Sequence, residues 1–134
     1  MRGKRAKYGN RKVTLGSLTF DSTREMQRYL VLKEAERNGV ISNLEIQPKF
    51  ELIPKMTERY IKHLKTKDKE CERTIQLPIT YTADFRYTKG GERIIEDVKI
   101  SPKMLPKEFQ LKVKMMRYFH GIAVKLVFKP NEAI

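Results

Sequence analysis

Polar and apolar residues alternate most clearly in the middle of the chain, where they predict a β-hairpin. Residues 79–87 and 93–100 are rich in β-branched and aromatic side chains, and Gly90-Gly91 between them is a strong turn signal. Lys49–Ile53, between two prolines, alternates in the same way. Further extended stretches are predicted at the following positions: residues 13–20, 40–46 and 122–129.

Helical spacing and capping residues predict a first helix before these strands. Ser22, with Glu25 three residues later, forms a capping box, and the helix is expected to run to about Asn38 before Gly39 ends it. The residues predicted to share one face are Met26, Tyr29, Leu30 and Lys33.

A second helix is predicted over residues 107–120, between Pro106 and Gly121. Its apolar stripe is expected to contain Phe109, Val113, Met116 and Phe119. The resulting order of helix, three strands, helix and strand predicts an α/β (α+β) fold, in which helices flank a central mixed sheet.

The length of 134 residues indicates one domain, assigned to residues 13–130, behind a flexible basic arm at residues 1–12. Residues 55–76 are charged and lack clear periodicity, so they are expected to form an exposed loop or a protruding hairpin within that domain.

Charge indicates a polyanionic partner. The chain has 29 Lys and Arg residues against 16 Asp and Glu, a formal net charge of +13. The first twenty residues contain no acidic residue, and their basic residues are Arg2, Lys4, Arg5, Lys7, Arg11 and Lys12. Blocks of like charge usually bind nucleic acid, although a solvated charged surface is the alternative.

Several classes of protein are disfavoured. Cys71 is the single cysteine, which excludes an internal disulfide and a cysteine zinc site. There is no apolar run long enough for a transmembrane helix, and no apolar run follows the basic N-terminus as in a secretory signal. A cytoplasmic protein is therefore expected.

The predicted hairpin concentrates acidic residues. Asp84 is expected to fall opposite residues 95–97, and Asp97 and Lys99 point to one face because they are two residues apart. Two carboxylates this close repel unless a cation such as Mg²⁺ lies between them. Alternatively, the aspartates are solubility residues and Lys99 is a surface lysine or the partner of Asp97. Aspartate is, however, a poor strand former, and such conflicts tend to mark functional sites.

Glu96 leaves an ambiguity, because a register shift of one residue would exchange its role with that of Asp97. Asp97 is preferred as the ligand because Lys99 lies at the matching spacing. Glu96 is assigned to the rim of the site, or to a position supporting a ligand.

Asp84, followed after 12 residues by Asp97-Val98-Lys99, resembles the D…(D/E)-x-K signature of the PD-(D/E)XK nuclease superfamily. Residues 20–25, 81–85 and 96–99 further resemble small phage-type nucleases related in layout to phage endonuclease I, which resolves Holliday junctions. The resemblance covers residues 15–128, and the predicted order of elements agrees with it. Two departures are Asp97, where glutamate is commoner, and Ala83, where the motif has proline.

The resemblance implies a metal-dependent DNA endonuclease. Asp84, Asp97 and the backbone carbonyl of Val98 would hold Mg²⁺ or Mn²⁺, and Lys99 would orient the attacking water or stabilise charge on the phosphate. Glu25 would complete the site from the first helix, with one or two metals, although its capping role already explains it. Branched DNA or a Holliday junction in phage recombination would be the substrate, cut by a homodimer.

The second predicted helix supplies candidate phosphate contacts at Gln110, Lys112 and Lys114. Lys112 and Lys114 cannot share a helix face, and both have ordinary surface lysines as their alternative. The competing function is a non-catalytic basic DNA- or RNA-binding accessory protein, in which the acidic residues are structural.

Overall fold

The fold was analysed in a computed structural model, which describes residues 11–134. It has the predicted α/β (α+β) character and divides into two compact units. The first contains residues 11–48 together with Ala83–Ile134, and the second is Lys49–Thr82. Most of the predicted N-terminal arm lies outside the described residues.

The elements within residues 11–134 are numbered in chain order. The strands are β1 (Val13–Leu15), β2 (Leu18–Phe20), β3 (Ser42–Ile46), β4 (Lys49–Ile53), β5 (Met56–His63), β6 (Asp68–Gln76), β7 (Ile79–Thr82), β8 (Phe85–Lys89), β9 (Glu92–Val98) and β10 (Lys125–Val127). The helices are α1 (Thr23–Arg37) and α2 (Lys107–Met115).

A four-stranded mixed sheet in the order β10-β9-β8-β3 forms the centre of the first unit. Strand β9 is parallel to β10 and antiparallel to β8, and β8 is antiparallel to β3. After the antiparallel pair β1–β2, this unit continues along the chain with α1, β3, β8, β9, α2 and β10, which is the predicted order of helix, three strands, helix and strand.

Helix α1 begins as its sequence predicts but buries a different face. The Ser22 hydroxyl accepts a hydrogen bond from the backbone N–H of Glu25 at 3.2 Å. The buried residues are Arg28, Leu32 and Ala35. Of the residues predicted to share one face, Met26 and Tyr29 pack against the core, whereas Leu30 is 49% exposed. The predicted face omits Arg28, whose burial depends on an acidic partner elsewhere in the chain.

The second helix covers the predicted residues, but its last turn departs from α geometry. A π-helical turn, Met116–His120, follows α2, and Gly121 ends it with a φ of 66°. Phe109 and Met116 are buried as predicted, whereas Phe119 is 51% exposed. The stripe prediction assumed a constant 3.6-residue period, and the wider π turn rotates the residues that follow it.

The strand predicted over residues 79–87 is two strands, interrupted at Ala83 and Asp84. Strand β7 pairs with β4, whereas β8 pairs with β9 and β3. At the interruption, the N–H of Ala83 donates to the carbonyl of Pro48 and the carbonyl of Asp84 accepts from the N–H of Gln47. Sequence alternation continues across the break, so only the pairing partners reveal it.

The second unit contains two antiparallel strand pairs, β4–β7 and β5–β6. Strands β5 and β6 form a long hairpin over the segment predicted as either a loop or a hairpin. All residues from Arg59 to Glu70 are exposed.

The core of the first unit lies between α1 and the sheet. Its buried apolar residues are Phe20, Leu32, Ala35, Ile41, Phe85, Tyr87, Val98 and Val127. Within residues 11–134, no helix has the length and apolar character needed to cross a membrane.

Candidate active site

The register of β8 and β9 places Asp84 beside Asp97. Phe85 is paired with Glu96, so the residue before Phe85 falls opposite the residue after Glu96. The backbone N–H of Asp84 donates to the carbonyl of Glu96 at 3.2 Å. The sequence prediction that Asp84 faces residues 95–97 is confirmed.

The side chain of Asp84 lies between hydrogen-bond partners on β9. Its Oδ2 accepts from the backbone N–H of Val98 at 2.7 Å, and its carboxyl group is hydrogen-bonded to that of Asp97. Burial, followed by the negative charges of Asp97 and Glu25, raises the pKa of Asp84 from 3.8 to about 9. A proton therefore holds two carboxyl groups together that would otherwise repel each other.

Lys99 is held by two contacts at the end of β9. Its Nζ lies 3.0 Å from Oδ1 of Asp97 and 4.0 Å from the ring centroid of Phe109 on α2. The Asp97 carboxylate is almost fully buried, whereas a quarter of the Lys99 side chain is exposed. The ammonium group is thus oriented by an acid and an aromatic face, and it keeps access to a ligand.

Glu25, in the first turn of α1, belongs to the same electrostatic environment. Burial and the charge of Asp21 raise the pKa of Glu25 to about 7. A hydrogen bond to the backbone of Asp21 acts in the opposite direction and lowers this pKa. The charge of Asp97 raises this pKa further and that of Lys99 lowers it. The fold therefore brings the first helix to the two strands, as the predicted set of site residues requires.

Glu96 does not lie at the rim of this site, so the rim assignment is wrong, whereas its alternative as a residue supporting a ligand stays a prediction. It is fully buried, and its two carboxylate oxygens accept from Nε and a terminal nitrogen of Arg28 at 2.7 and 2.8 Å. The hydroxyl of Tyr87 also donates to it. Because successive strand residues alternate between faces, an inward Glu96 leaves Asp97 on the opposite face, beside Lys99.

The donor set suits a hard cation. Mg²⁺ usually keeps several waters and takes one or two carboxylates from the protein. Asp84 and Asp97 would supply these carboxylates if a cation bound here, and the Val98 carbonyl lies between Asp97 and Lys99 in the chain. Among the side chains of residues 11–134, no three acidic, histidine or cysteine residues are already arranged to hold a metal. Glu25 would therefore have to move towards the pair to become a third ligand.

The predicted phosphate contacts on the second helix are exposed or partly exposed. Lys112 forms an ion pair of 3.0 Å with Glu108, and the Gln110 amide donates to the carbonyl of Leu105 at 3.0 Å. Lys114 is exposed, so the two lysines differ in burial, as their spacing predicts. In the N-terminal arm Arg11 and Lys12 are exposed, while the remaining predicted contacts lie outside the described residues: Arg2, Lys4, Arg5 and Lys7.

The sequence patterns did not predict the roles of two residues, Phe109 and Arg28. Phe109 was predicted only as a core residue, although its ring also lies against the Lys99 ammonium. Arg28 was overlooked because it is charged. Its spacing of four and seven residues from Leu32 and Ala35 is the signal that could have placed it on the inner face of α1.

In a comparison with protein families, residues 5–130 match the family described as "Protein of unknown function (DUF1064)". The chain belongs to this family. The matched residues include both strands of the site, β8 and β9, and the two helices beside it, α1 and α2. Neither the curated proteins nor the solved structures include a significant match.

Proposed function

We propose that the protein is a metal-dependent endodeoxyribonuclease, a phosphodiester hydrolase of the PD-(D/E)XK type. The observation that carries the proposal is the pair of hydrogen-bonded carboxyl groups of Asp84 and Asp97, with the Lys99 ammonium 3.0 Å from Asp97. A divalent cation can take the place of the proton that now joins the two acids. Lys99, which is a quarter exposed beside Asp97, would then be available to a phosphate bound at the site.

Each side chain has a role in this proposal. Asp84 and Asp97, with the Val98 carbonyl, would hold Mg²⁺ or Mn²⁺, which lowers the pKa of bound water and stabilises charge on phosphoryl oxygens. Lys99, oriented by Phe109, would position the attacking water or stabilise the negative charge on the scissile phosphate. Glu25 would act from α1, either as a further ligand or by holding water.

The net charge of +13 supports a nucleic-acid substrate, because each phosphate contact made by a basic residue releases counterions. Following the sequence resemblance, we propose branched DNA, such as a Holliday junction in phage recombination, as the preferred substrate. A homodimer would cut two strands symmetrically. We propose a cytoplasmic location, which would be the bacterial host cytoplasm if the protein is phage-encoded.

A cleavage assay tests the proposal. Duplex, flap, Y-shaped and four-way DNA are incubated with the protein in Mg²⁺ or in EDTA, and the products are separated on denaturing gels. We expect cutting in Mg²⁺ only, and its loss in Asp97→Asn and Asp84→Asn. The matched control is Asp68→Asn, since Asp68 is an exposed aspartate in the other unit.

The same assay separates the competing function. A non-catalytic DNA- or RNA-binding protein would bind the substrates and cut none of them in either condition. Cleavage that survives both site substitutions would also refute the proposed active site, because it would originate elsewhere or in a contaminant.

A further inference from the structure

The hairpin of β5 and β6 has two faces of opposite charge. Cross-strand partners lie on the same face, and faces alternate along each strand. The pairs on the first face are Lys62 with Lys69, Tyr60 with Cys71 and Glu58 with Arg73. The pairs on the second face are His63 with Asp68, Ile61 with Glu70 and Arg59 with Glu72. The first face therefore has three cationic residues and one carboxylate, and the second has one guanidinium and three carboxylates.

Two of the carboxylates on the acidic face contact basic side chains of the same face. The carboxylate of Glu70 forms an ion pair of 3.5 Å with Arg59, and Asp68 is 2.8 Å from His63. On the basic face, Arg73 forms an ion pair with Glu58 and lies over the ring of Tyr60 at 4.8 Å. That combination holds a guanidinium and an aromatic ring together on an exposed surface.

Lys62 and Lys69 are placed directly opposite each other at the outer end of this face. Like charges at opposed positions destabilise a hairpin, since their Cβ atoms are only about 5 Å apart. Neither lysine has an ion-pair partner within the described part of the chain. Lys65 and Lys67, in the turn that follows β5, add two more exposed ammonium groups to the same end.

We propose that this basic face of the hairpin binds the phosphodiester backbone of DNA. A phosphate between Lys62 and Lys69 offsets the repulsion that the free hairpin retains, and Lys65 and Lys67 contact neighbouring phosphates. The two-stranded shape is compatible with duplex DNA, whose major groove admits a β-ribbon. Contacts of this kind position a protein on DNA and carry no sequence information.

The test measures binding without cleavage. Fluorescence anisotropy of a labelled short duplex is recorded in EDTA over a range of salt concentrations. We compare the wild type with Lys62→Gln/Lys69→Gln and with the opposite-face control Glu70→Gln/Glu72→Gln. The lysine variant is expected to raise Kd about tenfold at low salt and to reduce the slope of log Kd against log salt by about 2.

The control variant distinguishes the effect of a local phosphate contact on Kd from the effect of the total charge of the protein. If only net charge mattered, the glutamate variant would tighten binding as much as the lysine variant weakens it, and this outcome would overturn the proposal. An unchanged Kd and salt slope in the lysine variant would do so too, as would tighter binding of an RNA duplex than of DNA. The thermal midpoint of the lysine variant should equal or exceed that of the wild type, because a like-charge pair is removed.

The choice of DNA rests on the proposed function, but the two tests are independent. The cleavage assay in Mg²⁺ reports on Asp84 and Asp97, whereas the anisotropy assay in EDTA reports on Lys62 and Lys69, so either result can fail without the other. Loss of binding in the lysine variant would stand even if the protein proved unable to cut DNA.

Discussion

The guanidinium of Arg28 and the carboxylate of Glu96 form a two-point ion pair in the core, with distances of 2.7 and 2.8 Å and no exposure of either residue. Arg28 also donates to the carbonyl of Pro130, and Tyr87 donates to Glu96. The pair joins α1 to β9 and determines which face of β9 points inward. By alternation it also determines that Asp97 points to the candidate site.

Removing one partner of this pair should destabilise the protein strongly. Glu96→Gln leaves the Arg28 charge buried without its counter-ion, and we expect a loss of about 3–5 kcal/mol in the free energy of unfolding. Urea denaturation measures it. The matched control is Glu34→Gln, which breaks the exposed pair with Arg37 and should have no measurable effect. Equal losses in the two variants would contradict the structural role of the buried pair.

Asp84 should make the metal-free protein less stable as pH rises. Its pKa is 3.8 when unfolded and about 9 when folded, so the folded state holds this proton more tightly. The resulting stabilisation is complete below the unfolded value and is lost as pH rises towards about 9, with a slope of up to about 1.4 kcal/mol per pH unit. Asp84→Asn cannot ionise, so its stability in EDTA should fall much less, retaining only the smaller decrease due to Glu25.

Urea denaturation at several pH values between about 5 and about 9 checks this expectation. Asp68→Asn, at an exposed position, should follow the wild-type curve. Mg²⁺ should raise the stability of the wild type at alkaline pH and leave Asp84→Asn nearly unchanged. Parallel curves for the wild type and Asp84→Asn would show that the folded protein does not retain this proton.

Phe109 should affect catalysis through Lys99. Lys99→Met is expected to abolish cleavage without loss of DNA binding. Phe109→Leu removes the aromatic face 4.0 Å from the ammonium group, a contact worth roughly 1 kcal/mol, so the cleavage rate should fall roughly fivefold. The control is Tyr118→Leu, because that ring is 83% exposed. Single-turnover rates at saturating enzyme measure the effect, and equal rates for the two leucine variants would exclude a role for Phe109 in orienting Lys99.

Ser22 and Glu25 can be tested separately, because the cap uses the Glu25 backbone and the site would use its side chain. Ser22→Ala removes the acceptor for the Glu25 N–H and should cost about 1 kcal/mol of stability, with little change in cleavage. Glu25→Gln keeps the cap and should reduce cleavage roughly tenfold or more by weakening metal binding. Denaturation and cleavage assays on both variants are needed. If Glu25→Gln cuts at the wild-type rate, Glu25 is only a capping-box residue.

Features that depend on neighbouring residues could be predicted from the sequence. The Gly90-Gly91 turn, with φ values of 57° and 80°, fixes a hairpin whose strands bring Asp84 opposite Asp97. Strand alternation then places Lys99 on the side of Asp97, and the Ser22 cap starts α1. Each of these follows from backbone conformation or hydrogen bonds within a few residues, so a pattern of residue types is sufficient to predict it.

Long-range contacts establish that the side chain of Glu96, and not that of Asp97, points to the core beside Arg28. Burying Glu96 requires Arg28, which is 68 residues away in the chain, and no local pattern indicates that the two charges compensate each other. The contact of Phe109 with Lys99 and the break between β7 and β8 likewise depend on partners that are distant in sequence. Neighbouring residues in the chain specify the helices, strands and turns. The free energy of a buried charge or of a strand break depends instead on residues that are distant in sequence and adjacent in the folded protein.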